Sequence, residues 1–373
     1  MTTSATAAPP PTGPTRPARR DDFDIAIVCA LPLEFDAVCL AVDEFWDTNG
    51  DSYGRAPGDQ NLYTTGRIGN HNVVLVLLPG MGKVSGASTA ASLRHSYSKL
   101  KLVVLAGVCG GVPSPEQDRE LLLGDVVISQ QVVQFDLGRQ YPGQFVARDD
   151  VRDTLRRPNR ELRSLLAAMQ TEHGLEKLEQ GAAQYLPELQ MAAVAKGRRA
   201  TYRYPGAKSD RLFPPEYTHK HRSGAGCECH DTAHPCPLAI AASCRELDCD
   251  IGKILTRRRL PQREGVKVFV GNVGSGDTVM KSGTDRDRIA TTHQLIAFEM
   301  EAAGLWDELP CIVLKGVCDY ADSHKDKRWQ PFAAAAAAAV TKALLRQFTT
   351  TDKAAGDSVQ AGTCFRCDTK ASS

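Results

Sequence analysis

The sequence predicts an α/β fold: a single domain with a mixed, mainly parallel central sheet flanked by helices and interrupted by a large insertion. Three observations lead there. Runs such as DIAIVCAL (24–31) and KLVVLAGVCGG (101–111) are continuously apolar instead of alternating, the mark of strands covered on both faces. Each run passes through a turn into a helical stretch, as in NVVLVLLPGMGKVSGASTAASLRHSY (72–97), the βα rhythm of a parallel sheet. That rhythm stops near residue 150 and resumes near 266, so the intervening stretch reads as an insertion into one domain.

Taken in order, strands are expected at 24–31, 72–78, 101–111 and in GDVVISQQVVQFD (124–136). After the interruption come VKVFVGNVGSGD (266–277), IAFEME (296–301) and CIVLKGVCDYAD (311–322). An Ala-rich helix over about 331–348 closes the domain, packed on the core. The insertion, about 150–262, opens with a charged amphipathic helix near Pro158 and continues polar, aromatic and basic. A stretch of that length without packing periodicity is functional or disordered. Residues 1–22, rich in Pro, Thr and Ala, read as a disordered leader, 23–349 as the domain and 350–373 as a flexible tail.

The 373 residues carry 45 basic and 44 acidic side chains, a formal net charge of +1 that argues against a nucleic-acid or anionic-membrane surface. No apolar h-region opens the chain, and no run approaches the about 18 apolar residues of a membrane span. The twelve cysteines, without a signal peptide, are expected as thiols in a reducing, cytoplasmic compartment.

The unusual polar residues fall at the carboxyl ends of the expected strands, where open parallel sheets bind ligands. Glu34 follows the first strand, Gly80 and Gly82 the second, Gly110 and Gly111 the third. Ser275 and Asp277 follow VFVGNVG, Glu299 and Glu301 end IAFEME, and Asp319 ends IVLKGVCD. Each carboxylate alone could cap a helix. Several converging on one sheet edge argue for a site. PGMGKVSG matches neither a P-loop nor GxGxxG.

Together, ALPLE, GMGKV, GVCGG, GDVV, SGD, EME and CDYAD, in that order, resemble the nucleoside phosphorylase/nucleosidase superfamily over about 24–138 and 266–348. The likeness includes the methylthioadenosine/S-adenosylhomocysteine nucleosidases and the fungal nucleoside-phosphorylase-like domains that precede NLR-type immune receptors. It implies cleavage of a purine–ribose bond, with an acid for the leaving base and carboxylates for the oxocarbenium-like sugar. On this resemblance Asp319 serves the base at N7, Glu301 grips the ribose hydroxyls with Met300 beneath the sugar and Glu299 close by, and Glu34 activates water. Val279 and Met280 line the purine pocket, and Gly82 and Gly110 approach the substrate. Lys315 stands where the nucleosidases carry an arginine. Asp277 reads as a cap or a partner of Asp319, and Asp322 as solvated or a cap.

The phosphorylases carry phosphate donors where this chain has Leu105 and Val108, so water is the expected nucleophile. The resemblance therefore implies a purine nucleoside N-ribohydrolase for adenosine-type substrates, needing no cofactor and assembling as a homo-oligomer. The alternatives are a phosphate-dependent phosphorylase, a nucleotide N-ribosidase using Arg198, Arg199, Arg203 and Lys208 of the insertion, or a nucleoside-sensing module without turnover. HKHRSGAGCECHDTAHPCP (219–237) is either a structural zinc site, with Cys227, Cys229, His234 and Cys236 as ligands, or a polar loop with incidental thiols. Cys364 and Cys367 offer only two ligands.

Overall fold

The computed structural model describes residues 16–48, 50, 53–116, 119–148, 155–222, 227, 229, 235–263 and 265–349. The expected tail, 350–373, lies outside them, as do Cys364, Cys367 and His234. At the centre, β1 (Ile25–Cys29) runs parallel to β4 (His71–Leu77) on one side and to β5 (Leu102–Gly111) on the other. All five β1 residues are buried, as a doubly covered strand requires. Beyond β4, β3 (Tyr63–Ile68) and the short β2 (Glu44–Phe45) extend the sheet antiparallel.

On the other flank β11 (Cys311–Asp319) lies parallel to β5, and β6 (Val126–Gln134) runs antiparallel to β11. β9 (Val268–Ser275) and β10 (Leu295–Glu299) follow, each parallel to its neighbour. β10 then returns to pair antiparallel with the end of β5, Phe298 opposite Gly110 and Ala297 opposite Gly111. Half of the sheet thus closes on itself. The fold is the mixed α/β sheet the apolar runs implied.

Helices α1 (Pro32–Ala41), α2 (Lys83–Ser96) and α8 (Trp329–Gln347) cover the sheet. In α8 the alanines 333–339 are all buried. Alanine joins high helix propensity to a minimal side chain, so the helix axis can approach the strands closely. Opposite it, a Cβ on Gly316 of β11 would collide with the Ala333 carbonyl oxygen.

Between β6 and β9 the chain forms a hairpin, β7 (Gly138–Tyr141) with β8 (Gln144–Ala147), and then α3 (Arg160–Met169) and α4 (Glu172–Ala195). The helix expected near Pro158 is α3, N-capped by the Asn159 side chain on Leu162 N–H. The 24-residue α4 was not expected. Its buried positions, Leu178, Ala182, Leu186, Leu189 and Ala193, keep helical spacing through Pro187 and pack on α8 and α1. The insertion returns to the sheet at Asp125, fully buried, which accepts the Leu122 and Lys267 N–H groups at 2.7 and 3.2 Å. Its carboxylate also pairs with Arg259 and Arg263.

The remaining helices are short α5 (Pro237–Ala241), α6 (Gly283–His293) and α7 (Ala302–Trp306). Residues 16–22, read from composition as leader, are instead held to the domain. Arg16 donates to the Trp46 carbonyl at 2.6 Å and the Tyr53 hydroxyl donates to Pro17 O at 3.1 Å. Contacts that composition does not encode fix this segment.

The close approach of α8 gives a direct test. Gly316→Ala should destabilise the fold by about 1–3 kcal/mol, as overpacked cores do. Urea unfolding of the variant with an unchanged midpoint would refute the packing described.

Candidate active site

β5 sets the site, because its end has two neighbours. Gly110 lies opposite Phe298 of β10 and opposite Asp319 of β11. The EME and CDYAD segments, some twenty residues apart in sequence, therefore flank a single strand end. Three residues upstream Gly107 lies opposite Lys315. A Cβ on Gly107 would strike the Glu34 carboxylate, so only glycine lets this acid reach the sheet.

Glu34 sits in the first turn of α1 and is 2% exposed. Its Oε2 accepts the N–H groups of Ala30 and Leu31, both at 2.9 Å, and Oε1 accepts Val108 N–H at 2.7 Å. A carboxylate has about four acceptor positions, which leaves one on Oε1 for a water.

Lys315 is 1% exposed, and its Nζ donates to Glu301 Oε2 at 3.3 Å. Burial opposes its charge, but Glu34, Glu301 and Glu299 outweigh that cost and hold the ammonium above its usual range. Glu301 keeps a freer oxygen: among the described residues Oε1 receives only a long 3.4 Å bond from Gly82 N–H. Glu299 accepts the Glu301 and Ala302 N–H groups at about 3.0 Å. Burial first, and then repulsion from Glu301, push its carboxyl up to about 7, against the pull of Lys315.

Asp319 accepts Ala321 N–H at 2.8 Å and pairs with Lys325 Nζ at 3.0 Å. Lys325 escaped the sequence reading, which stopped at CDYAD. Burial lowers its affinity for a proton and Asp319 restores it, with a net rise. The Cys318 thiol is a third donor, 3.4 Å from Asp319 Oδ2.

The remaining expected residues divide. Met280 is buried in an apolar cluster with Val112, Phe135, Phe298 and Ala321, beside the Asp319 turn. Met300 is half-buried and Val279 is exposed. Gly82 adopts φ 102° at the start of α2, a conformation glycine accepts without strain. Among the described residues Asp277 shares no bond with Asp319: it accepts Lys83 N–H at 2.8 Å and lies 3.6 Å from Lys83 Nζ, which binds Asp136 at 2.6 Å. Asp322 is buried, not solvated, and caps its own turn by accepting His324 N–H at 2.8 Å. Arg198 pairs with Asp36 at 3.3 Å, and Arg199, Arg203 and Lys208 are exposed. A cleft of about 480 Å³ between α6 and residues 212–215 is lined by Arg286 and Asp287 and by none of the carboxylates above.

Of the expected metal ligands, Cys227, Cys229 and Cys236 come together, and the imidazole that joins them is that of His221. His219, Cys244, Cys249 and His324 form a second group.

Residues 24–204 match the family described as the phosphorylase superfamily. That match covers just under half of the chain and runs through α3 and α4, past the point where the insertion was expected to begin. A nucleotide-binding leucine-rich repeat (NLR)-like protein of Hyaloscypha variabilis is 31% identical over 333 residues, covering 87% of this chain and 29% of that protein. A 5'-methylthioadenosine/S-adenosylhomocysteine nucleosidase of Mycobacterium bovis is 34% identical over 115 residues, 31% of this chain and 39% of that protein. The chain thus spans well under half the length of these relatives. Among solved structures, the 5'-methylthioadenosine/S-adenosylhomocysteine nucleosidase of Neisseria meningitidis superposes with a TM-score of 0.51 at 16% identity, over 87% of this chain and 99% of that one. At that identity the superposition speaks for the fold alone. Among the described residues no helix is long and apolar enough to cross a membrane.

The raised carboxyl of Glu299 has a consequence for stability. Its folded value, about 7, lies above the 4.5 of an ordinary glutamate, so the stability it contributes is present at low pH and lost as pH rises through about 7. The stability of the native protein relative to Glu299→Gln should therefore fall between pH 5 and pH 8. Thermal unfolding at both values checks this, and a native protein that gains stability relative to Glu299→Gln as pH rises would contradict the electrostatics.

Proposed function

We propose that the protein is a purine nucleoside N-ribohydrolase, cleaving the N-glycosidic bond of adenosine-type nucleosides by water attack. The observation that carries this reading is the charge balance: Glu34, Glu299 and Glu301 face one buried ammonium, Lys315. A low-dielectric site with excess negative charge favours a sugar that becomes cationic in the transition state. The same balance repels phosphate, which disfavours a phosphorylase.

In this mechanism Glu301 Oε1, weakly occupied by Gly82 N–H, receives the ribose hydroxyls, and Met300 supplies an apolar floor. Glu34, oriented by three backbone N–H groups, uses the remaining lone pair on Oε1 to position and deprotonate water. The Asp319–Lys325 pair serves the departing base: Asp319 accepts a hydrogen bond from the purine or relays to it a proton held with Lys325. Met280 and the exposed Val279 border the base. The nucleosidase among the relatives supports this class of reaction.

A second reading, a nucleoside-sensing module without turnover, is favoured by the NLR-like relative. Incubation with adenosine, guanosine, inosine, uridine and ATP, with and without phosphate, separates these readings by release of free base. Release from adenosine without phosphate is expected. Strict phosphate dependence would overturn the water mechanism, release from ATP alone would favour the nucleotide ribosidase, and binding without release would favour the sensor. Asp319→Asn should lower kcat/KM by about 10²–10⁴-fold. Glu301→Gln should act chiefly on KM. Negligible effects from both would remove the site assignment.

A further inference from the structure

The Cys/His segment places no side chain among the carboxylates above, yet its side chains are sorted. Around the first group, His221 Nδ1 lies 3.2 Å from Cys229 Sγ and 3.7 Å from Cys236 Sγ, and Cys227 Sγ lies 3.5 Å from Cys236 Sγ. Around the second, His219 Nδ1 lies 3.3 Å from Cys249 Sγ and 3.7 Å from Cys244 Sγ, and His324 Nδ1 lies 3.6 Å from Cys244 Sγ. Within each group all four ligand atoms fall within 4.8 Å of one another.

These separations are the edges of a metal tetrahedron. With Zn–S of about 2.3 Å and Zn–N of about 2.0–2.1 Å, tetrahedral geometry puts two sulfurs about 3.8 Å apart and sulfur and nitrogen about 3.5 Å apart. A disulfide would need about 2.05 Å between Cys227 and Cys236. The outer contacts fit as well. His219 Nε2 meets Ala242 O at 2.9 Å and His324 Nε2 meets Tyr217 O at 2.7 Å. A carbonyl only accepts, so each ring carries its proton on Nε2 and turns the Nδ1 lone pair toward the thiols, the orientation a metal-binding histidine takes. Cys227 and Cys236 receive N–H groups from Cys229 and Ala239 at 3.5 and 3.4 Å. The surrounding apolar cluster is small: Phe213, Ala239 and Leu247 are buried with the cysteines, and Tyr217, Ala242 and Ile254 pack against them half-buried, too little to order such a lobe unaided.

We infer that residues 219–249 hold two zinc ions, one on Cys227, Cys229, Cys236 and His221, the other on Cys244, Cys249, His219 and His324. The second reaches outside the insertion. His324 belongs to the turn after β11, five residues beyond Asp319, and its neighbour Lys325 is the cation on Asp319. The rest of the turn is clasped from the same side: the Tyr320 hydroxyl donates to Asp210 at 2.6 Å, and His219 N–H donates to Ser323 Oγ at 3.0 Å. The second zinc straps this turn to the insertion and thereby positions Asp319.

The full chain, expressed with zinc and purified without chelator, should contain two equivalents of zinc by elemental analysis. Cys229→Ser and His324→Ala should each lose one, and the double variant both. Less than a tenth of an equivalent in the native protein would overturn the inference, as would an unchanged content in His324→Ala. Should the variants fail to fold, the native protein still decides: mercurial titration of its thiols should release two zinc ions per chain. Without reductant, denatured and metal-free protein should titrate close to its twelve thiols. About eight thiols with no zinc released would indicate disulfides instead. Removing metal should speed amide exchange about tenfold in both 217–250 and 319–325. Faster exchange confined to the insertion would refute the strap, whatever the nucleosidase assays give.

Discussion

The arrangement depends on keeping one ammonium charged inside the protein. Lys315 is buried at the middle of β11, where a lone cation would cost several kcal/mol. It is tolerated because three carboxylates from three separate elements surround it: Glu34 from α1, Glu299 from the end of β10 and Glu301 from the start of α7. Each must approach closely, and the backbone yields space where it does. Gly107 leaves out the side chain that would exclude Glu34. β10 bends back onto β5 so that EME arrives beside Gly110. The sheet closure and the charge cluster are one constraint seen at two scales.

The excess of negative charge also explains why the site would be reactive and not merely polar. A buried cluster with more carboxylates than cations raises one carboxyl, here Glu299, and leaves another, Glu301, with an oxygen that a sugar could satisfy. On the proposed reading, the stabilisation withheld in the free protein would go to a cationic sugar. On the same reading, the Asp319–Lys325 pair across the end of β5 would serve the base, and the turn that carries it meets the Cys/His lobe at His324.

Much of this was legible along the chain, and for identifiable reasons. Continuous apolar runs gave the central strands within a few residues, since burial on both faces leaves that composition, while β2, β3, β7 and β8, which lack such runs, were not legible. The alanine run announced a closely packed helix. The acids Glu34, Glu299, Glu301 and Asp319 stood out because each breaks an apolar stretch at a strand end. Less legible was α4, whose Pro187 argues against a helix while its buried spacing argues for one. Residues 16–22 read as leader because their composition is that of one, yet Arg16 and Pro17 find partners on Trp46 and Tyr53.

The sequence by itself determined the α/β class, the strand order of events and the inventory of polar groups at the strand ends, because burial and turn chemistry act on neighbours in the chain. Only the tertiary structure decided which of those groups meet. Lys315 finds Glu34 through the β5–β11 register, Lys325 turns back on Asp319, and Asp277 goes to Lys83 instead. His219 and His221, two residues apart, part company for different clusters, one of them completed by His324 from the turn after β11. Charge pairing and metal ligation act through space within a few ångströms, and the distance along the chain carries almost no information about them.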